Sequence, residues 1–271
     1  MKAPKVSVIV AVYNIELVVE KSIRSVLSQT LSDIEVVICD DASTDGTYGV
    51  LARLAAEDDR IRLLHNESNK GPAYTRNQCF AAARGDYFAI HDGDDISLPE
   101  RLLMQAEFLD KHPEYAFVSS IAVFLDDEDA VIAYRGKTGE IVKDDFLWGL
   151  PFCHAATMFR RAFIRLTEGY RVEPSTRFRG EDFDLFIRIY MRGGKGFVLP
   201  KCLYSVREGR AAVGRRKYRY RLAEAKLRYR GYAALGLLPK GLPFVVKPLV
   251  VGLLPQSLLE KLRGRFLSDS R

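Results

Sequence analysis

The chain has 271 residues, 48% hydrophobic and 28% charged, an ordinary globular composition with length for one main domain and an appendage. Its four cysteines, Cys39, Cys79, Cys153 and Cys202, lie far apart with no CxxC pair, which argues against a zinc site or a disulfide frame and suits a reducing cytosol. The net charge of +6 is uneven: residues 207–271 hold 16 Lys and Arg against 4 acids, leaving 25 basic and 31 acidic residues before them, so an acidic body carries a basic tail that favours an anionic partner.

Residues 6–12 form a mostly β-branched run, as a strand buried on both faces requires. The run follows two lysines, but it is short and has no Ala-x-Ala type cleavage site, so it reads as a first strand and not as a leader. Helical spacing over residues 20–27, a buried-strand pattern over 35–39, a helix over 48–56, a strand over 61–65, a helix over 73–83 and a strand ending at Asp92 follow in turn. This βαβαβαβ series predicts an α/β fold with a parallel sheet, helices on both faces and a ligand crevice at the carboxyl ends of the strands. The second half is less regular. A helix over 98–111 that begins with Pro99, a strand over 116–124, an acidic loop at 126–129 and a hairpin-like return over 131–135 are expected. After Pro151 comes irregular strand, then a helix over 182–192 ended by Gly193 and Gly194.

Three carboxylates, Asp92, Asp94 and Asp95, follow the apolar run Tyr87–Ile90 directly. At the carboxyl edge of a strand they could grip a hard cation and the phosphates it carries. An EF-hand loop counted from Asp92 would need Gly at Ser97 and Glu at Leu103, and one counted from Asp41 would need Glu at Ala52, so both calcium readings fail. A solvated acidic turn remains the plain alternative. Against it, Asp40 and Asp41 also fall at a strand end, so two acidic clusters some 50 residues apart converge on one crevice.

Five segments in order resemble glycosyltransferase family 2: Ser7 to Asn14, Asp40 to Thr47, Asn69 to Asn77, Asp92 to Asp95, and Glu181 with Asp182. The resemblance covers roughly residues 4–206 and implies a GT-A fold, a Rossmann-like mostly parallel sheet flanked by helices, and transfer that inverts the anomeric centre. It divides the chain into a catalytic domain over 1–206, with a nucleotide-binding half to about 95 and an acceptor half after it, and a basic amphipathic tail over 207–271. It implies that Asp41, with Asp40 beside it, meets the nucleotide base, that Ala11 and Tyr13 line that pocket, and that Arg76 lies close to the nucleotide. Asp92 would contact the ribose, Asp94 would ligate Mg²⁺ or Mn²⁺ on the diphosphate, and Asp182 would be the general base. Chemistry supports the set, because a departing diphosphate needs neutralising charge and a carboxylate must take the acceptor's proton on the other side. Oxygen ligands suit Mg²⁺ or Mn²⁺ over zinc or copper.

For Glu181 and Asp182 the plain alternative is favourable charge at a helix N-terminus, compatible with a supporting role for Glu181; Asp184 reads as helix surface. Many members have Pro where Ala11 stands, and a late Tyr-Arg-x-His element is here Tyr204, Ser205, Val206, Arg207. Arg207 would then meet the phosphate itself as a fixed cation. His154 matches a position bordering the acceptor site and reads equally well as structural.

In the tail, Tyr218, Leu222, Ala225, Tyr229 and Tyr232 form one apolar helical stripe amid cations, and the apolar stretch 235–259 is broken by four prolines and two lysines. An interfacial helix on an anionic membrane is expected, with packing against the domain or a partner as the alternative and nucleic acid disfavoured for want of a recognised module. The chain thus reads as a metal-dependent transferase. It would move a sugar from a UDP-sugar or related nucleotide-diphosphate donor to a lipid-linked or lipopolysaccharide glycan at the cytoplasmic membrane face. Direct transfer to a polyprenyl phosphate and a non-catalytic membrane scaffold are the alternatives. An aspartyl phosphatase is disfavoured because Ile96 stands where Thr or Val is usual.

Overall fold

The computed structural model describes residues 3–126, 128–173, 180–207 and 218–253. Arg215, Arg216, Lys217, Asp127 of the acidic loop and the apolar segment beyond Leu253 therefore lie outside the described residues.

The first half alternates as expected: β1 (Val6–Val12), α1 (Glu16–Leu27), β2 (Ile34–Asp40), α2 (Thr47–Glu57), β3 (Ile61–His65), α3 (Pro72–Ala82) and β4 (Tyr87–Asp92). All seven residues of β2 are buried, the signature of a strand covered on both faces by crossover helices. Then come β5 (Ile96–Ser97), α4 (Arg101–Lys111), β6 (Phe117–Leu125), β7 (Val131–Arg135) and β8 (Gly139–Ile141). A 3₁₀ helix (Lys143–Trp148), β9 (Met158–Arg160), α5 (Arg161–Leu166), α6 (Glu181–Met191), β10 (Gly196–Arg207), α7 (Tyr218–Leu235) and α8 (Leu242–Leu253) complete the order.

The strands form one sheet in the order β3-β2-β1-β4-β9-β6-β10-β5, with β7 paired to β6 and β8 to β10. Strands β3, β2, β1 and β4 run parallel. β9 is the antiparallel seam that joins them to the parallel β6–β10 pair. Register then sets the chemistry. Val12 lies beside Asp40 and Ala11 beside Asp92, so the carboxylates of two separate strands sit along one carboxyl edge.

Two expectations need correcting. The helix after the carboxylates begins at Arg101 and not at Leu98, because the Leu98 N–H bonds the Leu203 carbonyl alongside β10. Asp184 is not on the helix surface: it is buried on α6, where Arg188 reaches it at 2.7 Å and Arg171 at 3.4 Å. Arg188 also donates to the carbonyls of Thr167 and Gly169, so the loop after α5 needs a cation there and the cation needs Asp184.

The described tail packs on the domain. Tyr232, Leu235 and Leu237 are buried in the same hydrophobic cluster as Phe117, Phe146 and Phe183. The predicted stripe is rotated by about one residue: Ala225 and Tyr232 are buried, whereas Tyr218, Leu222 and Tyr229 are exposed. Arg221 and Arg228 take the inward places, with side chains only 12% and 15% exposed.

Candidate active site

Asp41 follows β2 directly and is 4% exposed. Its Oδ1 accepts from Asn66 Nδ2 at 2.8 Å and the Lys70 N–H at 2.9 Å, and its Oδ2 from the Gly71 N–H at 2.8 Å. One carboxylate thus fixes the loop that enters α3. Gly71 has φ +88°, a backbone state that residues with a Cβ adopt only under strain. Above this turn opens a cleft of about 450 Å³ lined by Ala11, Tyr13, Asp41, Asn69, Gly71 and Thr75 among others. Three of the residues expected at the base pocket therefore share one concavity. Asp40 does not line it: it is fully buried and bound by Ser43 and by His65 Nδ1 at 2.9 Å, bracing the turn from below.

On the neighbouring strand, Gly93 between Asp92 and Asp94 is required by close packing, since a Cβ there would lie 2.6 Å from Val12 Cγ1. Beneath this turn, fully buried His91 takes hydrogen bonds at both ring nitrogens, to Ser22 Oγ at 2.8 Å and Ser97 Oγ at 3.1 Å. Buried Arg101 donates to Ser97 Oγ and to the carbonyls of Ile90 and Ala155. Burial and the Arg101 charge push the His91 pKa down to about 3.

Arg76 on α3 joins the two halves of the site. Its Nη2 meets Asp92 at 2.8 Å and its Nη1 meets Glu181, in the first turn of α6, at 3.2 Å. Burial opposes the Arg76 charge, yet the two carboxylates hold the guanidinium firmly protonated. Burial alone would raise the Asp92 pKa, but Arg76 outweighs it and keeps that carboxyl below its ordinary value. Glu181, farther from Arg76 and beside Asp182, is raised by burial and by that neighbour. Arg76 Nε is buried without a partner among the described residues.

His154 and Tyr170 close the other wall, sharing a hydrogen bond at 2.7 Å. Burial and Arg76 lower the His154 pKa to about 4, so the ring is neutral at pH 7. Asp182 occupies the first turn of α6, half-buried, with one carboxylate oxygen accepting the Phe183 N–H. Arg207 reaches the carboxylates by its backbone, donating its N–H to Asp95 Oδ1 at 3.0 Å. Its guanidinium turns to Asp129 at 3.1 Å. Sequence reasoning passed over Asn66 and Tyr170. Asn66 follows β3 at the carboxyl edge and could have been found by asking what ends that strand; Tyr170 stands in a stretch with no periodic signal.

No group of three or more His, Cys, Asp or Glu set to hold a metal ion occurs among the described residues. The chemistry of the carboxylate edge nevertheless fits a hard divalent cation. Asp94 reaches solvent, and partial desolvation by the surrounding protein together with Asp92 repulsion raises its pKa. Asp95 is pushed up to about 9 by burial and by Asp92 and Asp94. Crowded negative charge with one open carboxylate suits Mg²⁺ or Mn²⁺, which take one or two protein carboxylates and draw their remaining ligands from phosphate oxygens and water.

Comparison with known proteins agrees with this architecture. The sequence model of "Glycosyl transferase family 2" matches residues 7–166. The Bacillus subtilis protein named "Putative glycosyltransferase EpsE" is 39% identical over 259 residues, covering 95% of this chain and 92% of that one. The Campylobacter jejuni GalNAc(5)-diNAcBac-PP-undecaprenol beta-1,3-glucosyltransferase is 30% identical over 242 residues, covering 86% and 73%. Among solved structures, Staphylococcus aureus TarS 1-349 in complex with UDP-GlcNAc superposes with a TM-score of 0.72 at 20% identity, covering 90% of this chain and 73% of that one. The Pyrobaculum calidifontis mannosyltransferase PcManGT, in complex with GDP-Man and Mn²⁺, gives 0.58 at 21% identity, covering 98% and 81%. At these identities the structural likeness concerns the fold, which is the GT-A type.

Proposed function

The chain belongs to glycosyltransferase family 2 and is a glycosyltransferase, and we propose that it moves a sugar, with inversion, from a UDP-sugar to a hydroxyl of a lipid-linked or cell-surface glycan. The observation that carries this reading is Arg76, which ties Asp92, the register partner of cleft-lining Ala11, to Glu181 beside Asp182. Donor cleft and candidate base are thereby fixed to one another by a buried cation.

In this reading the base and ribose lie over Ala11, Tyr13 and Asp41, and Asp92 faces the ribose. Asp41 holds the loop through three accepted hydrogen bonds, only one of them on Oδ2, which leaves that oxygen an acceptor site for the nucleotide base. Asp94 holds Mg²⁺ or Mn²⁺, which when bound supplies positive charge for the departing diphosphate. Asp182 accepts the proton of the attacking hydroxyl as the new C–O bond forms at the anomeric carbon and the bond to the diphosphate oxygen breaks. Neutral His154 borders the acceptor. Arg207 lies within electrostatic reach of Asp94 and moderates the charge there. The undecaprenol-linked glycan in the name of the Campylobacter relative supports a lipid-linked acceptor, and the basic tail supports a place at the cytoplasmic face of an anionic membrane.

The test is thermal melting with UDP, GDP, dTDP and CMP, each with and without Mn²⁺, followed by transfer assays with UDP-sugars. UDP with Mn²⁺ raises the melting temperature because only the native state binds it, and Asp94→Ala loses the Mn²⁺-dependent part. Asp182→Asn keeps the thermal response while transfer falls by roughly 10² to 10⁴. No response to any nucleotide overturns the donor assignment. Intact transfer by Asp182→Asn removes it as the base and favours an acceptor, such as a polyprenyl phosphate, that is already ionised.

A further inference from the structure

The exposed side of α8 is apolar. Leu242, Val246, Val250 and Leu253 are 43%, 49%, 52% and 72% exposed, and their spacing of four, four and three places them on one helical stripe. The opposite side, through Phe244 and Val245, packs on the core. Trp148, at the end of the 3₁₀ helix, is 72% exposed and stands at the flank of α8, beside the stripe and not in line with it: its ring meets Phe244 at 4.7 Å, and Lys247 Nζ stands 4.5 Å over it. Isolated exposed apolar side chains are normal, but a contiguous patch of this kind marks an interaction surface.

We infer that α8 and Trp148 form one surface that lies in the headgroup region of an anionic bilayer. The inference rests on the membrane part of the proposed function and assigns it to named residues. Three observations favour lipid as the occupant. The stripe belongs to the region of 16 basic and 4 acidic residues, and the rest of the chain has the opposite excess, so this end of the chain carries the charge that anionic lipid attracts. Lys247 lies beside the apolar residues of α8, as a cation does when aliphatic side chains enter the acyl boundary, and tryptophan is the residue enriched at that depth; Lys240, just before the helix, is paired with Asp144. Finally, α8 has 12 residues, about 18 Å of helix against a hydrocarbon thickness of about 30 Å. No described helix is long and apolar enough to cross a membrane, and over its described residues α8 suits a place in the interface.

The surface also connects to the chemistry. Arg228 and Tyr232 on α7 both bond the Leu147 carbonyl, next to Trp148, and the Tyr232 ring meets Phe183, the residue after Asp182. A bilayer held at Trp148 would therefore stand in fixed relation to the candidate base.

Trp148 is the chain's one tryptophan, so its emission reports on this surface alone. The experiment mixes the full chain with vesicles of phosphatidylcholine, or of phosphatidylcholine with phosphatidylglycerol, with and without brominated acyl chains, and follows co-sedimentation and emission excited at 295 nm. Expected are binding to the anionic vesicles, a shift of emission to shorter wavelength and quenching by the brominated lipid. The double variant Val246→Asp, Val250→Asp should partition at least about tenfold more weakly, because charge replaces buried apolar area, with unchanged circular dichroism and UDP response. Co-sedimentation without change in Trp148 emission overturns the assignment and leaves the membrane reading standing. No co-sedimentation removes both. A dimer that the double variant abolishes would show a second copy as the occupant and overturn the lipid assignment.

Discussion

At the scale of single residues, the site depends on charges whose protonation the fold dictates. Buried His91 is the clearest case. Arg101 donates to Ser97 Oγ, which leaves the Ser97 hydroxyl proton for His91 Nδ1; the ring's own proton then faces Ser22. Burial withholds solvation from a charged ring and the Arg101 charge repels it, which is the physical content of a pKa near 3. Asp92 favours the charged ring, and the Tyr204 ring covers one side at 5.6 Å. The unfolded chain protonates this histidine near pH 6.5, so below that value it binds a proton that the folded chain refuses, and stability is lost as pH falls toward 3. His154, lowered to about 4, acts in the same direction, whereas Asp95, raised to about 9, acts in the opposite one over the same range. The readout is therefore a difference. From pH 6 to pH 4, wild type should lose about 1.4 kcal/mol per pH unit more than His91→Gln, measured by denaturant melts at each pH. Parallel curves would mean that His91 titrates normally in the folded state.

At the scale of elements, legibility followed burial. Strands β1, β2 and β4 are covered on both faces, so apolar runs marked them, and their ends placed Asp41 and Asp92 at one edge. The segments β8, β9, α5 and the 3₁₀ helix have three to six residues each, too short for a period to show, and so Tyr170, between α5 and α6, could not be placed. α7 was legible as a helix but not in its rotation, because the pattern treats every arginine as outward. Here Arg228 keeps its stem inside while donating to the Leu147 carbonyl at 3.2 Å and to Tyr232 Oη at 2.9 Å. The last carbonyls of a short helix need donors from elsewhere, and Tyr232 Oη supplies one to Leu147 at 2.9 Å. Tyr232→Phe should therefore cost about 0.5–1.5 kcal/mol, the net worth of one hydrogen bond, because Arg228 still reaches the Leu147 carbonyl, whereas Tyr229→Phe, on an exposed side chain, should be close to neutral. Chemical denaturation of both variants decides it; equal effects would mean that the hydroxyl of Tyr232 is dispensable.

At the scale of the whole molecule, the question is whether the basic segment is a detachable anchor or a structural part of the catalytic unit. Tyr232, Leu235 and Leu237 are 0%, 5% and 7% exposed and share a cluster with Phe146, Phe183 and Phe186. Fully burying each such side chain contributes roughly 1.5–3 kcal/mol. Loss of the three together, with the surface they cover on α6 and the 3₁₀ helix, takes away several kcal/mol from a total stability of the order of 5–15 kcal/mol. A chain ending after Arg207 should thus melt on the order of 10 °C or more below the full chain, and should lose its UDP response if α6 frays with it, because Phe183 is the residue that packs beneath Tyr232. Calorimetry of the two chains tests this. An unchanged melting temperature would make α7 and α8 a separable appendage, and membrane attachment could then be removed without touching catalysis. The predicted loss means that the exposed side of α8 and the candidate cleft fold as one body, so that altering that side without unfolding the enzyme requires surface changes such as those at Val246 and Val250 instead of truncation.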